Sequence, residues 1–319
     1  MREVNIFMKK LLGFFLFLFN LILLASCTST NTDNYVIKGI MPGGAPSVGL
    51  SNYIIETNTK DNYTILGQDT SPLQVAFKKS GEVQYDVIVA PLNLGAQLYA
   101  KGFSTYKLAA VLTWGNLYFA SRRADFTLQS LNGSNVTFFG QNSINMAVVD
   151  YVLSGNNITT GERTYLGSTG LTQVELLKDE NVNEIYLIAE PALSVAMKQK
   201  SDIKTISVQE LYSNISGQGS YPQAGLFVSE NLINNHKALL DSYLEGVKAS
   251  CDKMATDLNT NAANASTLLG TPAAVLKTAI PNSNIKYEKA KDVKNKINFV
   301  ANLKLSLFGD KLPQDELYY

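Results

Sequence analysis

Val36-Ile37-Lys38-Gly39-Ile40-Met41-Pro42-Gly43-Gly44-Ala45-Pro46-Ser47 is the stretch on which the fold turns. Its first six residues read as a strand. Pro42 and the two glycines that follow read as a loop whose backbone amides can approach a ligand closely. Pro46 suits the first turn of a helix that continues toward Ile55.

The same order of elements recurs along the chain. A second strand is expected near Tyr63–Leu66. Ser71 and Pro72 then supply an N-cap and a first helical residue, and Gly81 closes that helix. Asp86–Ala90 reads as a buried strand ending at Pro91, and Leu92–Lys101 as a helix stopped by Gly102. Leu108–Ala120, which contains Trp114-Gly115-Asn116, holds one or two further strands. The order then restarts. Val136–Gly140 is a strand, and Gln141-Asn142-Ser143 is a polar loop able to cap the next helix. That helix places Ile144, Ala147, Val148, Tyr151 and Val152 on one face and ends at Gly155. A strand at Tyr165-Leu166, a helix over 171–178, a strand at Ile185–Ala189 reaching Glu190-Pro191, and a helix over 192–200 follow. Val36 pairs with Val136, Tyr63 with Thr164, Asp86 with Ile185 and Pro91 with Pro191, an offset of about 100 residues throughout.

Strands alternating with helices imply α/β lobes with mainly parallel sheets, and two such lobes are expected. In such sheets ligands sit beyond the carboxyl ends of the strands. That edge carries Gly43–Ser47 in the first half and Gly140–Ser143 in the second. Each loop opens a helix, whose first turn presents unpaired N–H groups and a partial positive charge. Two such helix starts facing across a cleft suit a polar or anionic small molecule.

Beyond a strand at Ile203–Val208, residues 213–223 (SNISGQGSYPQ) read as a turn-rich connector. Gly217-Gln218-Gly219 begins like a dinucleotide fingerprint and fails, because Pro222 stands at the last glycine position. Ala224–Val228 is a strand. A long helix then carries Leu240, Leu244, Val247, Cys251, Met254 and Leu258 on one face, which assigns Cys251 to the core.

The amino-terminal end has a different character. Lys9 and Lys10 precede an apolar run from Leu11 to Leu24, and Leu24-Ala25-Ser26-Cys27 closes it. A charged start, an apolar centre and small residues before a cut form a secretory leader. The run is short of the roughly 20 residues that span a bilayer. Leu-Ala-Ser-Cys resembles the bacterial lipobox, in which the cysteine thiol takes a diacylglycerol and the leader is cut before it. Cysteine suits the role because its thiolate is the nucleophile. The expected layout is a leader over 1–26, a lipidated polar tether over 27–33, and a folded body beyond. Removing 26 of 319 residues leaves 293, enough for two domains or one bilobed body. The leader takes Arg2, Lys9, Lys10 and Glu3 out of 27 basic and 27 acidic residues, leaving 24 and 26, a net of −2. That balance argues against nucleic acid as a partner. With Cys251 the one cysteine besides Cys27, and with one histidine, His236, neither an internal disulfide nor a Cys/His metal cluster can be assembled.

These features together resemble a substrate-binding lipoprotein of an ATP-binding-cassette (ABC) importer, in the type II periplasmic-binding group that serves nitrate, sulfonates, taurine and thiamine or riboflavin precursors. The resemblance rests on the lipobox, the strand–Gly-Gly–helix opening at Ile40–Ser47, Tyr85–Pro91, Trp114–Tyr118 leading into Ser121-Arg122, Ala189-Glu190-Pro191 and Ser220-Tyr221-Pro222. It implies two similar Rossmann-like lobes with mixed sheets, joined by crossings near Arg122 and Gly219. Lobe one would then comprise 34–122 and 221–319, and lobe two 123–220. It further implies hinge closure on a ligand, a permease and ATPase as partners, no cofactor, a monomer, and a place on the extracytoplasmic face of the cell membrane.

The candidate ligand contacts are Gly43, Gly44, Ser47, Asn93, Trp114, Asn116, Asn142, Ser143, Glu190 and Tyr221. Gly43, Gly44 and Ser47 form either a ligand-facing loop or a plain tight turn. Asn142 and Ser143 can cap their helix and touch a ligand together. Trp114 either stacks on a flat ring or packs in the core. Glu190 either accepts from an amine or ring N–H or sits in a solvated rim or hinge salt bridge. Arg122 and Arg123 attract an anion if they face the cleft, and otherwise pair with carboxylates. The competing readings are an enzyme on the same fold, of the lyase or pyrimidine-synthase kind, and a ligand-sensing lipoprotein. Against an enzyme, there is no cysteine-rich run, no GxSxG elbow and no Walker pattern. The leader reading yields a direct expectation: the Cys27→Ser chain takes up no lipid label and leaves the membrane fraction, whereas labelling equal to wild type would end it.

Overall fold

Gly39–Pro42 (β1) lies between two parallel partners, Tyr63–Leu66 (β2) and Val87–Pro91 (β3), in a computed structural model that describes residues 34–67, 69–78 and 84–319. Residues 36–319 form one unit. The leader and Cys27 fall outside the described residues, as does the helix stop expected at Gly81. Among the described residues, no helix is long and apolar enough to cross a membrane.

Two mixed sheets organise the body. The first adds Lys107–Trp114 (β4), Pro222–Val228 (β10) and Ile285–Lys289 (β11), in the order β11-β4-β10-β3-β1-β2. The second contains Leu117–Ser121 (β5), Val136–Phe139 (β6), Arg163–Leu166 (β7), Ile185–Ala189 (β8) and Lys204–Ser207 (β9), in the order β7-β6-β8-β5-β9. The same pattern appears in both. Three parallel strands, ordered β2-β1-β3 and β7-β6-β8, are followed by an antiparallel neighbour, β10 or β5. The repeat read from the sequence is therefore real: β1, β2 and β3 correspond to β6, β7 and β8.

The helices cover the sheets. Ala45–Glu56 (α1) packs on Lys237–Lys253 (α9) and Leu258–Leu269 (α10), where Cys251 is buried as a free thiol. Leu92–Ala100 (α3) lies over β3 and β10, and Phe227 of β10 meets Phe77 edge-on at 5.0 Å. Phe77 follows the short helix Pro72–Ala76 (α2). In the second lobe Ile144–Gly155 (α4) packs on Val208–Ser216 (α7), and Thr169–Leu177 (α5) on Ala192–Gln199 (α6). Glu230–Asn235 (α8) and Ala273–Asn282 (α11) complete the set with Lys294–Leu303 (α12), which lies against α4.

Two expectations need correction. The connector expected from Ser213 begins later, because α7 runs through Ser213 to Ser216. Its N-cap Ser207 accepts from the Glu210 N–H at 3.2 Å, and left-handed Gly217 ends it. The single long helix through Leu240 and Leu258 is two helices. The chain turns after Lys253, and Asp257 caps a new start by accepting from the Thr260 N–H at 3.1 Å.

The chain changes sheet at Gly115-Asn116, between the end of β4 and the start of β5, ahead of the Arg122 expected to mark the crossing. It returns between β9 and β10, a span that includes Gly219. Several segments pin the first crossing. The Trp114 N–H donates to the Asn284 carbonyl at 3.0 Å, the Gly115 N–H donates to the Tyr221 carbonyl at 3.1 Å, and the Asn284 side-chain amide donates to the Gly115 carbonyl. A Cβ on Gly115 would stand 2.1 Å from Gln209 Oε1 and 2.4 Å from the Tyr221 ring. Overpacking of this kind costs about 1–3 kcal/mol. Gly115→Ala is therefore expected to lower the denaturant midpoint of the purified chain, and an unchanged midpoint would show that Tyr221 yields freely.

Candidate functional site

A cavity of about 870 Å³ opens where the carboxyl ends of the parallel strands in the two sheets face each other. Pro42, Leu66 and Pro91 line it from the first sheet, and Phe139, Gly167 and Ala189 from the second. This size suits a small organic molecule. Four helices begin at its wall: α1 at Gly44-Ala45, α4 at Ser143-Ile144, α5 at Ser168-Thr169 and α6 at Pro191-Ala192. The short βα turns of both lobes put the helix starts there, so their partial positive ends converge on one space.

The four starts differ in detail. Ser143 accepts from the Met146 N–H at 3.4 Å and Ser168 from the Leu171 N–H at 3.3 Å, so both serines act as side-chain caps. At α1 the cap is Gly44, whose φ of 123° and ψ of −153° suit glycine alone, and it lends no side chain. The Gly43 N–H is already donated to the Leu66 carbonyl at 2.7 Å. The two lobes nearly touch here, since a Cβ on Gly44 would come within 3.9 Å of Pro191 Cδ. A second link crosses the cavity, where Gln223 Nε2 of β10 donates to Asn145 Oδ1 of α4 at 3.0 Å.

Glu190 is the one ionisable side chain among the described lining residues, and it is only 3 % exposed. One carboxylate oxygen accepts from the Ser194 N–H at 3.1 Å and the other from Ser194 Oγ at 3.0 Å, so Glu190, one residue ahead of the N-cap Pro191, is tied to the first turn of α6. Burial nevertheless pushes its carboxyl up to about 7, against the lowering effect of both Ser194 bonds. Burial also lifts the nearby Tyr118 hydroxyl to about 12, with the charges of Glu190 and Glu210 adding.

Of the expected contacts, Gly43, Gly44, Asn116, Ser143 and Glu190 line the cavity. The other five do not. Ser47 is buried and its hydroxyl donates back to the Pro42 carbonyl at 2.7 Å. Trp114 is buried, with its indole N–H donated to the Lys286 carbonyl at 2.9 Å and the Lys296 ammonium 5.2 Å from the ring centroid. Tyr221 packs edge-on against Tyr212 at 5.1 Å. Asn142 is exposed with a left-handed φ of 58°, and Asn93 is half-buried on α3. The arginines are also elsewhere. Arg122 pairs with Asp179 and Asp202, and Arg123 with Asp125.

Sequence reasoning passed over Ser168, Thr169 and Gln223. The first two carried a signal: Leu166-Gly167-Ser168-Thr169-Gly170 stands after β7 as a glycine-flanked Ser/Thr pair, and Thr169 Oγ1 accepts from the Ala189 N–H at 2.9 Å. Gln223 carried none. Its role follows from the pairing of β10 in the first sheet, a partner distant in the chain.

No family model matches the sequence, and no curated protein matches it. Solved structures do match. An ABC transporter structure from Parabacteroides distasonis aligns with a TM-score of 0.72 at 19 % identity, over 89 % of this chain and 98 % of that one. The ligand-binding component of an ABC-type import system from Staphylococcus aureus, solved with zinc bound, gives 0.71 at 14 %, over 90 % and 97 %. The periplasmic aliphatic sulphonate binding protein SsuA from Escherichia coli gives 0.66 at 12 %, over 89 % and 91 %. At these identities the likeness is one of fold: the chain has the periplasmic-binding-protein fold, and binding components of ABC transporters are among its structural neighbours. Among the described residues, no three His, Cys, Asp or Glu side chains gather into a metal site.

The raised carboxyl of Glu190 sets a pH dependence. Between the ordinary value of 4.5 and about 7 the folded chain holds this proton more tightly than the unfolded chain. The stability it contributes is therefore complete below about 4.5 and is lost as pH rises through about 7. The loss is at most about 3 kcal/mol. Wild type is expected to lose stability relative to Glu190→Gln as pH rises from about 5 to about 8, with denaturant midpoints as the readout. Parallel profiles for the two proteins would remove Glu190 as the cause.

Proposed function

We propose that this chain is the extracytoplasmic solute-binding lipoprotein of an ABC importer. It captures one small polar or anionic molecule in the cavity between its lobes and hands it to a membrane permease driven by an ATPase. The observation that carries the reading is the cavity itself. Two sets of three parallel strands face each other at their carboxyl ends, and four helix starts converge there. That arrangement offers N–H donors to a polar ligand from both lobes, so binding and lobe closure reinforce one another.

In this reading Cys27 carries the lipid, the tether over 27–33 holds the body at the outer face of the membrane, and the protein works as a monomer without chemical turnover. The hinge lies at Gly115-Asn116 and in the return span before β10. Strand membership supports both positions and shortens the first segment of lobe one from 34–122 to about 34–116. The neighbours' role in ABC import supports the partner class.

The test uses the full-length protein purified under native conditions. Small molecules released on denaturation are identified by mass spectrometry and returned to the stripped protein. The expected outcome is one compound near one per chain, which raises the unfolding midpoint on return and is recovered unchanged after long incubation. Conversion of that compound into a product would replace the binding protein with an enzyme.

A further inference from the structure

The cavity wall is rich in acceptors and lacks cationic side chains. Among the described residues that line it there is no lysine, arginine or histidine, and Glu190 is the single ionisable group. Asn116 is 5 % exposed, and its Oδ1 has no hydrogen-bond partner. Gln223 donates one amide N–H to Asn145, and its Oε1 has no partner. An orphaned carbonyl oxygen in a buried place costs free energy, roughly 1–3 kcal/mol, that a donor recovers. Asn116 and Glu190 sit together because the Glu190 N–H is donated to the Asn116 carbonyl at 3.3 Å, across the pairing of β5 with β8.

The Glu190 carboxylate accepts one bond on each oxygen from Ser194, and a carboxylate has about four acceptor sites. Capacity for a ligand therefore remains on both oxygens. A simple anion placed beside it would meet a like charge in a place that screens poorly. A protonated nitrogen there would instead supply the countercharge that the wall lacks. Burial has already pushed this carboxyl up toward neutrality, which is the mark of an acid without a cationic neighbour.

We infer that the ligand carries an N–H-rich or protonated nitrogen (an amine, an amidine or an N–H-bearing ring), received by Glu190 and Asn116, and that a simple inorganic or aliphatic anion is not its whole chemistry. The first turns of α1, α4 and α5, away from the Glu190 carboxylate at α6, can meet an oxygen-bearing end of the same molecule, so zwitterions belong to the class. The inference rests on the binding-protein reading and narrows it.

Matched probe pairs test it on the full-length protein: taurine against ethanesulfonate, 4-aminobutyrate against butyrate, and 4-aminopyrimidine against pyrimidine, each at millimolar concentration in a thermal-unfolding assay. At least one amine-bearing member is expected to raise the midpoint by several degrees while its amine-free partner leaves it unchanged. Glu190→Gln is expected to weaken that member at least tenfold. Asn116→Leu, which keeps the carboxylate, is expected to weaken it as well and guards against a folding defect in the first variant. Equal or better binding of the amine-free members overturns the inference, as does a Glu190→Gln chain that binds amines as tightly as wild type. A wild-type midpoint that no amine-bearing member moves also overturns it. The importer reading is decided separately, by whether the compound released on denaturation binds back to the stripped protein without turnover.

Discussion

Gly115 has no room for a side chain, and the bilobed arrangement hangs on that restriction. The chain leaves the first sheet at Trp114 and joins the second at Leu117. At Gly115 its backbone is held by Asn284 before β11 and by Tyr221 before β10. The next residue, Asn116, bonds through its carbonyl to Glu190 at the end of β8. The crossing thus ties together both sheets, both connections between them and the floor of the cavity. A Cβ at position 115 would drive the Tyr221 ring away and loosen all of these at once.

The aromatic seam beside the crossing explains why the joint is ordered although it is not a sheet. Tyr151 of α4, Tyr212 of α7, Tyr221 and Phe299 of α12 meet in edge-on contacts with centroid separations of 5.1 to 6.1 Å. Tyr221 stands just before β10 and Phe299 lies within α12, whereas Tyr151 and Tyr212 belong to helices covering the second sheet. Such contacts hold orientation as well as area. Gly44 beside Pro191 and Gln223 bonded to Asn145 add two further links between the sheets at the cavity wall.

Much of the fold was legible because local rules and tertiary demands agreed. The glycine loop after β1, the N-cap at Ser143, the proline ends of β3 and the spacing of about 100 residues between matching strands each follow from short-range preferences, and each stands where it was expected. The misplacements came where a strong local signal competed with a weaker one. The polar run after Ser213 hid the last turn of α7, whose stability comes from packing on α4. The apolar face shared by Leu240 and Leu258 hid a turn set by Asp257 as a cap.

The amino-acid sequence by itself determined that this is an α/β chain of two similar halves, that Gly43, Gly44 and Ser143 stand at strand-to-helix turns, and that Cys251 belongs to the core. Those are consequences of periodicity, caps and glycine, which act over a few residues. Only the tertiary structure decided which polar groups share the cavity. Trp114 spends its N–H on Lys286, far away in the chain, Ser47 turns back to Pro42 and Tyr221 packs on Tyr212, whereas Asn116 and Glu190 are brought side by side by the pairing of β5 with β8. A side chain's solvent and partners are set by strand order and crossing points, and neither is written in the spacing of residues along a single segment.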